Sequence, residues 1–248
     1  MAWHCAAFSA SLGSVTNADT AAITDQIMVI QNNHLLPQQD MLLHYAAGSG
    51  PDTDRIRISS PTNRLITWPF IRPFNGAALP ATDPNVADYR NNPFQIEGME
   101  ELAIETTTNA VGPSRVTVVV GIGDPLTPIP RGNVFTLRGT STTAAVANAW
   151  TPVTVTWADS LPQGDYVCVG MVCQSTNQLA SRATFENQYW RPGGQGITAL
   201  GNRSHIMFDK GGLGQWGRFR SVRMPNVEVL ANAADAAHEF YLDLIRVS

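Results

Sequence analysis

Leu36-Pro37-Gln38-Gln39-Asp40 and Leu161-Pro162-Gln163-Gly164-Asp165 agree at four of five positions and stand 125 residues apart in a chain of 248. An offset of half the chain is what a duplicated structural unit requires, provided that the flanks follow at the same offset. Met28 and Ile30 fall opposite Val153 and Val155, and Met41 and Leu42 opposite Tyr166 and Val167. Arg55 and Arg64 are nine residues apart, as are Arg182 and Arg191, now at an offset of 127, which a two-residue insertion produces. Met99, Leu102 and Ile104 meet Met224, Val227 and Val229 at 125 again. The order of these matches along the chain predicts two similar units in tandem, each of the usual domain size.

What each unit is made of follows from the apolar pattern. Short segments alternate apolar and polar residues and end at Gly, Pro, Asn or Asp: "WHCAAFSASL", "DRIRIS", "EELAIETTT" and "SRVTVVVGI" in the first half, "NVFTLRG", "DYVCVGMVC", "NVEVLAN" and "HEFYLDLIRV" in the second. β-branched and aromatic residues at period two, recurring every 8 to 20 residues or so, predict an all-β sandwich or barrel. Helical signal is confined to three Ala-rich runs, "TNADTAAITDQ", "TSTTAAVANAW" and "NAADAAHE". The Leu-Pro-Gln-x-Asp stretch reads as a hairpin or corner: Pro presets φ, Asp bonds back to the backbone, and "PVTVTWA" is expected to pair antiparallel with "YVCVGMVC". Three prolines within "DPLTPIP" stiffen the connection between halves. The expected division is a first unit over 1–124, a Pro-rich linker over 125–132 and a second unit over 133–248.

Composition narrows the function. A formal charge of -4 gives no general electrostatic reason to bind nucleic acid. The cations are fifteen Arg and a single Lys, Lys210, and Arg tolerates partial burial in contact surfaces better than Lys does. No apolar run has the length of a membrane span, and the first residues lack the basic flank and apolar core of an export signal. Cys5, Cys168 and Cys173 are an odd number. Cys168 and Cys173, five apart on one strand, are expected on opposite faces as small apolar residues rather than as a disulfide.

Long Pro, Gly and Asn-rich excursions interrupt the strands at residues 68–94, 189–205 and 209–219, and loops of such length in a compact domain are usually functional. They carry Trp68, Phe70, Arg72, Phe74, Trp190, Arg191, Trp216 and Arg218, the residue types enriched where proteins touch. These eight are the candidate intersubunit contacts. Alternation in "DRIRIS" and "GRFRSVR" also sets Arg residues on one face of a strand. A catalytic constellation is not legible. His4, His34, His44, His205 and His238 form no HxH or HExxH, no Gly-x-Ser-x-Gly occurs, and the Gly-rich stretches precede no helix that would cradle a phosphate. Asp52, Asp54, Asp83 and Asp88 sit in turns where solvated carboxylates are the simpler reading than a calcium site. The expectation is a non-enzymatic protein without metal or cofactor.

Two all-β units in tandem, a stiff link and interface-type loops resemble the double jelly-roll major capsid proteins of small icosahedral bacteriophages, some of which enclose a membrane. The resemblance covers both halves through the repeated turn, the paired Arg55/Arg64 and Arg182/Arg191 segments and the strand pattern. It implies two tandem jelly-roll β-sandwiches with long loops and few short helices. It further implies a homotrimeric, pseudo-hexameric capsomer in an icosahedral shell, located in the virion and assembled in the host cytoplasm. Its partners would be other copies, neighbouring capsomers, vertex or minor capsid proteins and, indirectly, an internal membrane, without direct contact to nucleic acid. The alternative is a tandem β-sandwich module of a tail or spike that binds carbohydrate through Trp190 and Trp216.

Overall fold

The computed structural model describes residues 2–12, 15–21, 40–49, 53–59, 85–97, 103–108, 112–122, 129–147, 149–186, 188, 191–196, 214–231 and 233–248. The chain forms two compact units, Ala6–Gly123 on the one hand and Met1–Cys5 with Asp124–Ser248 on the other. Among the described residues the secondary structure is all β.

In the later unit the strands are β9 (Val134–Ser141), β10 (Thr151–Val153), β11 (Thr156–Trp157), β12 (Asp165–Gln174), β13 (Gln178–Thr184), β14 (Gly193–Gln195), β15 (Gly217–Arg220), β16 (Asn226–Ala231) and β17 (His238–Arg246). One sheet has the order β11-β9-β17-β12-β15 and the other β10-β16-β13-β14. With the two-residue β11 set aside, the strands count one to eight along the chain and fall into orders 1-8-3-6 and 2-7-4-5. That interleaving of two Greek keys is the jelly roll.

The earlier unit repeats it. Its strands are β1 (Ala2–Leu12, whose residues up to Cys5 belong to the later unit), β2 (Val15–Ala21), β3 (Met41–Ser49), β4 (Thr53–Ser59), β5 (Asn85–Asp88), β6 (Phe94–Ile96), β7 (Ala103–Thr108) and β8 (Gly112–Ile122). The sheet β1-β8-β3-β5, with β6 also on β3, corresponds to β9-β17-β12-β15, and β2-β7-β4 corresponds to β10-β16-β13. The irregularities repeat as well. The β3–β8 register slips between Leu43 and Tyr45, and the β12–β17 register between Cys168 and Gly170. The β4–β7 register slips between Thr53 and Arg55, and the β13–β16 register between Gln178 and Ala180. Both pairs of slips lie 125 residues apart. A bulge inserts one residue against a partner strand and is set locally by sequence, so its recurrence at one offset marks the halves as copies.

This register corrects the sequence alignment near the end of each half. Ile58 opposes Ile104 as Ala183 opposes Val227, so Ile104 corresponds to Val227 rather than Val229. Arg57 opposes Glu105 as Arg182 opposes Glu228, so the counterpart of Arg182 is Arg57, not Arg55. A two-residue shift keeps every side chain on its face of the sheet, which is why the apolar pattern matched at the wrong offset.

The core of the later unit lies between its sheets. Val153, Cys173, Val227, Val229, Ala231 and Phe240 form one buried cluster, with Val155 and Trp157 against it. Gly139 is required here, because a Cβ would stand 2.7 Å from the Trp157 ring. β12 is central and buried on both faces, Val167, Val169 and Ile245 forming a second cluster. Burial on both sides explains why "YVCVGMVC" is a continuous apolar run. The bulge at Val169 also changes the expected cysteine geometry. Cys168 opposes Leu244 and Cys173 opposes Phe240, residues of one parity on β17, so both thiols face the same side. They and Cys5 are free and buried. Burial, the largest influence, pushes the Cys168 thiol up to about 12 and raises that of Cys173 as well.

Two further expectations give way. The Ala-rich runs hold no helix among the described residues: Thr16–Ala21 belong to β2, residues 140–150 finish β9 and form isolated bridges Ala145↔Asp235 and Ala147↔Ala231, and the third run leads into β17. Runs this short cannot sustain a helix without packing support, and β-branched Thr and Val tip the balance to extended backbone. The second Leu-Pro-Gln-x-Asp stretch does not close a hairpin. β10 pairs with β16, β11 with β9, and β12 with β15 and β17. The turn is a crossing connection instead, held where Ser221 N donates to Gly164 O (3.0 Å) and Tyr166 Oη donates to Pro162 O (2.8 Å). Gly164 lies so close to the chain's end that a Cβ would be 2.3 Å from Ser248 O. In the first copy Leu36–Gln39 lie outside the described residues, but it too leads directly into the third strand, β3.

Candidate assembly surface

β15 ends its sheet, paired only with β12 among the described residues. Its sequence Gly217-Arg218-Phe219-Arg220 alternates, so Phe219 turns inward and stacks on Tyr166 at 5.8 Å while Arg218 and Arg220 are exposed. A short edge strand carrying two cations resists indiscriminate pairing with other strands. The Arg residues are held in place: Glu186 accepts from Arg220 Nη2 (2.9 Å) and from Arg223 Nη1 (2.7 Å). Those contacts, Arg220 foremost, hold the Glu186 carboxyl below its ordinary value. Between β15 and β12 opens a cleft of about 410 Å³ lined by Asp165, Tyr166, Glu186, Arg218, Phe219, Arg220 and Val247. At the following turn Val222 is 75% exposed. Cations with a preset geometry, an apolar tip and a recess suit a protein contact.

Of the eight sequence candidates, Trp68, Phe70, Arg72, Phe74 and Trp190 lie outside the described residues. Arg218 lines the cleft. Trp216 is only 3% exposed and its amide donates to Cys168 O, so the ring is part of its own sandwich and offers no face for stacking a sugar. Arg191 lies on the other sheet, half-buried, with Nη1 3.3 Å from Glu228 Oε2. Glu186 and Val222 carry no signal of this kind in the sequence, whereas the alternation in "GRFRSVR" puts Arg218 and Arg220 on one face, where an intersubunit salt-bridge row and a solvated face are both open readings. Of the candidate calcium carboxylates, Asp88 is engaged by Arg90 at 2.8 Å.

Around Arg191 the outer face of the β13–β16 pair carries a buried ionic cluster. Arg182, 1% exposed, donates from Nε to Glu228 Oε2 (2.7 Å) and stacks its guanidinium 3.9 Å from the Trp150 ring. Trp3, His4 and Cys5 are buried in the same unit. Cys5 N donates to Arg191 O (2.9 Å), and Arg191 N donates to His4 Nδ1 (3.2 Å). Burial first, then the charges of Arg182 and Arg191, holds the His4 pKa well below its ordinary value.

A second cleft of about 350 Å³, lined by Thr140, Thr142, Thr176, Gln174 and neighbours, adjoins Ser175, Asp235 and His238. Those three residue types invite comparison with a hydrolytic triad, and the geometry answers differently. Ser175 Oγ donates to the Asp235 carboxylate, and His238 Nε2 faces the Asp235 carbonyl at 3.1 Å, so no imidazole stands on the hydroxyl as a base. Asp235 also accepts from Asn177 N (2.9 Å) and Ala237 N (3.1 Å). Burial works to raise its carboxyl, but the Ser175 hydroxyl, those two amides and His238 together hold it below the ordinary value. The carboxylate staples the β12–β13 turn to the approach of β17. Among the described residues no group of three or more His, Cys, Asp or Glu is placed to hold a metal, and no helix is long and apolar enough to cross a membrane.

No protein-family model and no curated protein matches the sequence. Among solved structures, the major capsid protein P2 from bacteriophage PM2 matches over 98% of each chain at 11% identity, with a TM-score of 0.25. So low a score carries no argument about function.

Proposed function

We propose that this chain is the major capsid protein of an icosahedral bacteriophage, a structural protein whose homotrimers build pseudo-hexameric capsomers. The carrying observation is the repetition of the jelly roll within one chain, with the strand orders β1-β8-β3 and β2-β7-β4 matching β9-β17-β12 and β10-β16-β13 and with both bulges at the same offset. Three such chains about one axis present six similar domains, an outline close to hexagonal that tiles a curved shell. Cyclic symmetry then needs only one heterologous contact per chain. In this reading the exposed Arg218, Arg220, Val222 and Arg223 belong to a contact with a neighbouring copy. The loops carrying Trp68, Phe70, Arg72, Phe74 and Trp190 supply others. Vertex or minor capsid proteins complete the shell, any internal membrane is reached through them, and the protein resides in the virion after assembly in the host cytoplasm. Negative-stain images of the purified protein test this: hexagonal particles or shells are expected, and a field of separate single chains at high concentration would overturn it.

A further inference from the structure

Trp3 is 1%, His4 4% and Cys5 0% exposed. They lie in the unit formed with Asp124–Ser248. They belong to β1, and Arg191 makes two further contacts with them: Cys5 N donates to Arg191 O, and Arg191 N donates to His4 Nδ1. The second bond sets a protonation state. A backbone N–H can only donate, so His4 Nδ1 must carry its lone pair and the ring must be neutral.

We propose that Trp3–Cys5 form a latch that closes on the outer face of the β13–β16 pair at neutral pH and opens in acid, with His4 as the switch.

The charged groups around His4 make protonation incompatible with the closed state. β13 contributes Arg182, β16 contributes Glu228, and the segment before β14 contributes Arg191. Among the described residues Glu228 is shared by both guanidiniums. A third cation, on a ring buried among them, would lose its bond from Arg191 N and gain two like-charge neighbours. Burial and both arginines accordingly depress the His4 pKa. The sign follows from linkage. In the open state His4 titrates near its ordinary value, about 6.5, and in the closed state well below it. Above that pH neither state binds the proton and closure is at full strength. Below it the open state takes the proton and the closed state does not, so the latch equilibrium moves toward open by about tenfold per pH unit until the closed-state pKa is reached. The inference rests on one unit's geometry and stands whether or not the chain builds shells.

Hydrogen exchange read by mass spectrometry in peptides covering Ala2–Cys5 and Arg191 tests it, with rates corrected for the pH dependence of intrinsic exchange. Wild-type protection should fall by about tenfold per pH unit between pH 6.5 and 5, reversibly. In His4→Asn, whose amide oxygen can accept from Arg191 N but cannot titrate, protection should be independent of pH over that range. Constant wild-type protection, or a parallel fall in His4→Asn, would overturn the latch. Should His4→Asn be unprotected at every pH, the wild-type His4 ring followed by NMR decides. Titration well below 6 while the segment is docked supports the switch, and a midpoint near 6.5 without undocking refutes it.

Discussion

Arg182 places a permanent charge where 1% of the side chain meets solvent, and the Glu228 carboxylate and the Trp150 ring help to make that tolerable. A buried pair adds little net stability when both partners are present, but removal of one strands the other's charge. Glu228→Ala should therefore cost about 3–5 kcal/mol in urea unfolding, far more than Glu186→Ala, which leaves only the solvent-exposed Arg220 and Arg223 without that carboxylate. Equal costs would contradict the distinction between buried and exposed pairs. Asp235 gives a pH-dependent prediction. Its carboxyl is held below its ordinary value, so its stabilisation is fully present above the unfolded pKa, about 3.9, and is lost as pH falls through the folded one. Asp235→Asn should cost about 2 kcal/mol at neutral pH, and the gap to wild type should close below about pH 4. A gap that persists at pH 2.5 would assign the loss to packing. None of these pairings was legible in sequence, since Arg182 and Glu228 lie 46 residues apart and Ser175 and Asp235 lie 60 apart, and only the fold brings them together.

At the scale of strands, the alternating segments at β9, β16 and β17 were readable because period-two burial leaves its mark directly in the residue order. What stayed hidden was connectivity and register. The Leu-Pro-Gln-x-Asp stretch has the chemistry of a turn, and turn chemistry does not say whether the flanking strands pair with each other or with β9, β15, β16 and β17. A bulge carries no signal in the apolar pattern when both faces of β12 are buried, and so the cysteines were assigned opposite faces. That bulge supplies a test: deletion of Met171, a paired residue, would turn either Tyr166–Gly170 or Val172–Gln174 to the wrong face, whereas deletion of Val169 removes only the extra residue and leaves the partners on β17 in place. The Met171 deletion should lose several kcal/mol and fail to fold cooperatively, and the Val169 deletion should retain the fold. Equal effects of the two deletions would refute the register. On β15, Arg218→Glu with Arg220→Glu should leave the melting temperature of the chain within a few degrees, since both side chains are exposed. It should also weaken association at least tenfold by light scattering if this edge joins copies. Unchanged association would remove β15 from the contact.

For the whole molecule, duplication was the most legible property, because half-chain periodicity survives in short matches even where each match is weak. Of the candidate contacts, Arg218 is exposed at the cleft and Trp216 packs inside its own sandwich. Composition identifies residues that like to be covered and cannot tell whether their own domain or a neighbour covers them. The double jelly roll gives the shell-subunit proposal its physical sense, since two rigid copies in one chain let three chains imitate six. Mass photometry on the purified protein at increasing concentration tests that claim most directly. The account predicts a species at three times the 26.8 kDa chain, with larger assemblies built from it. A population that remains at the mass of one chain throughout would contradict it.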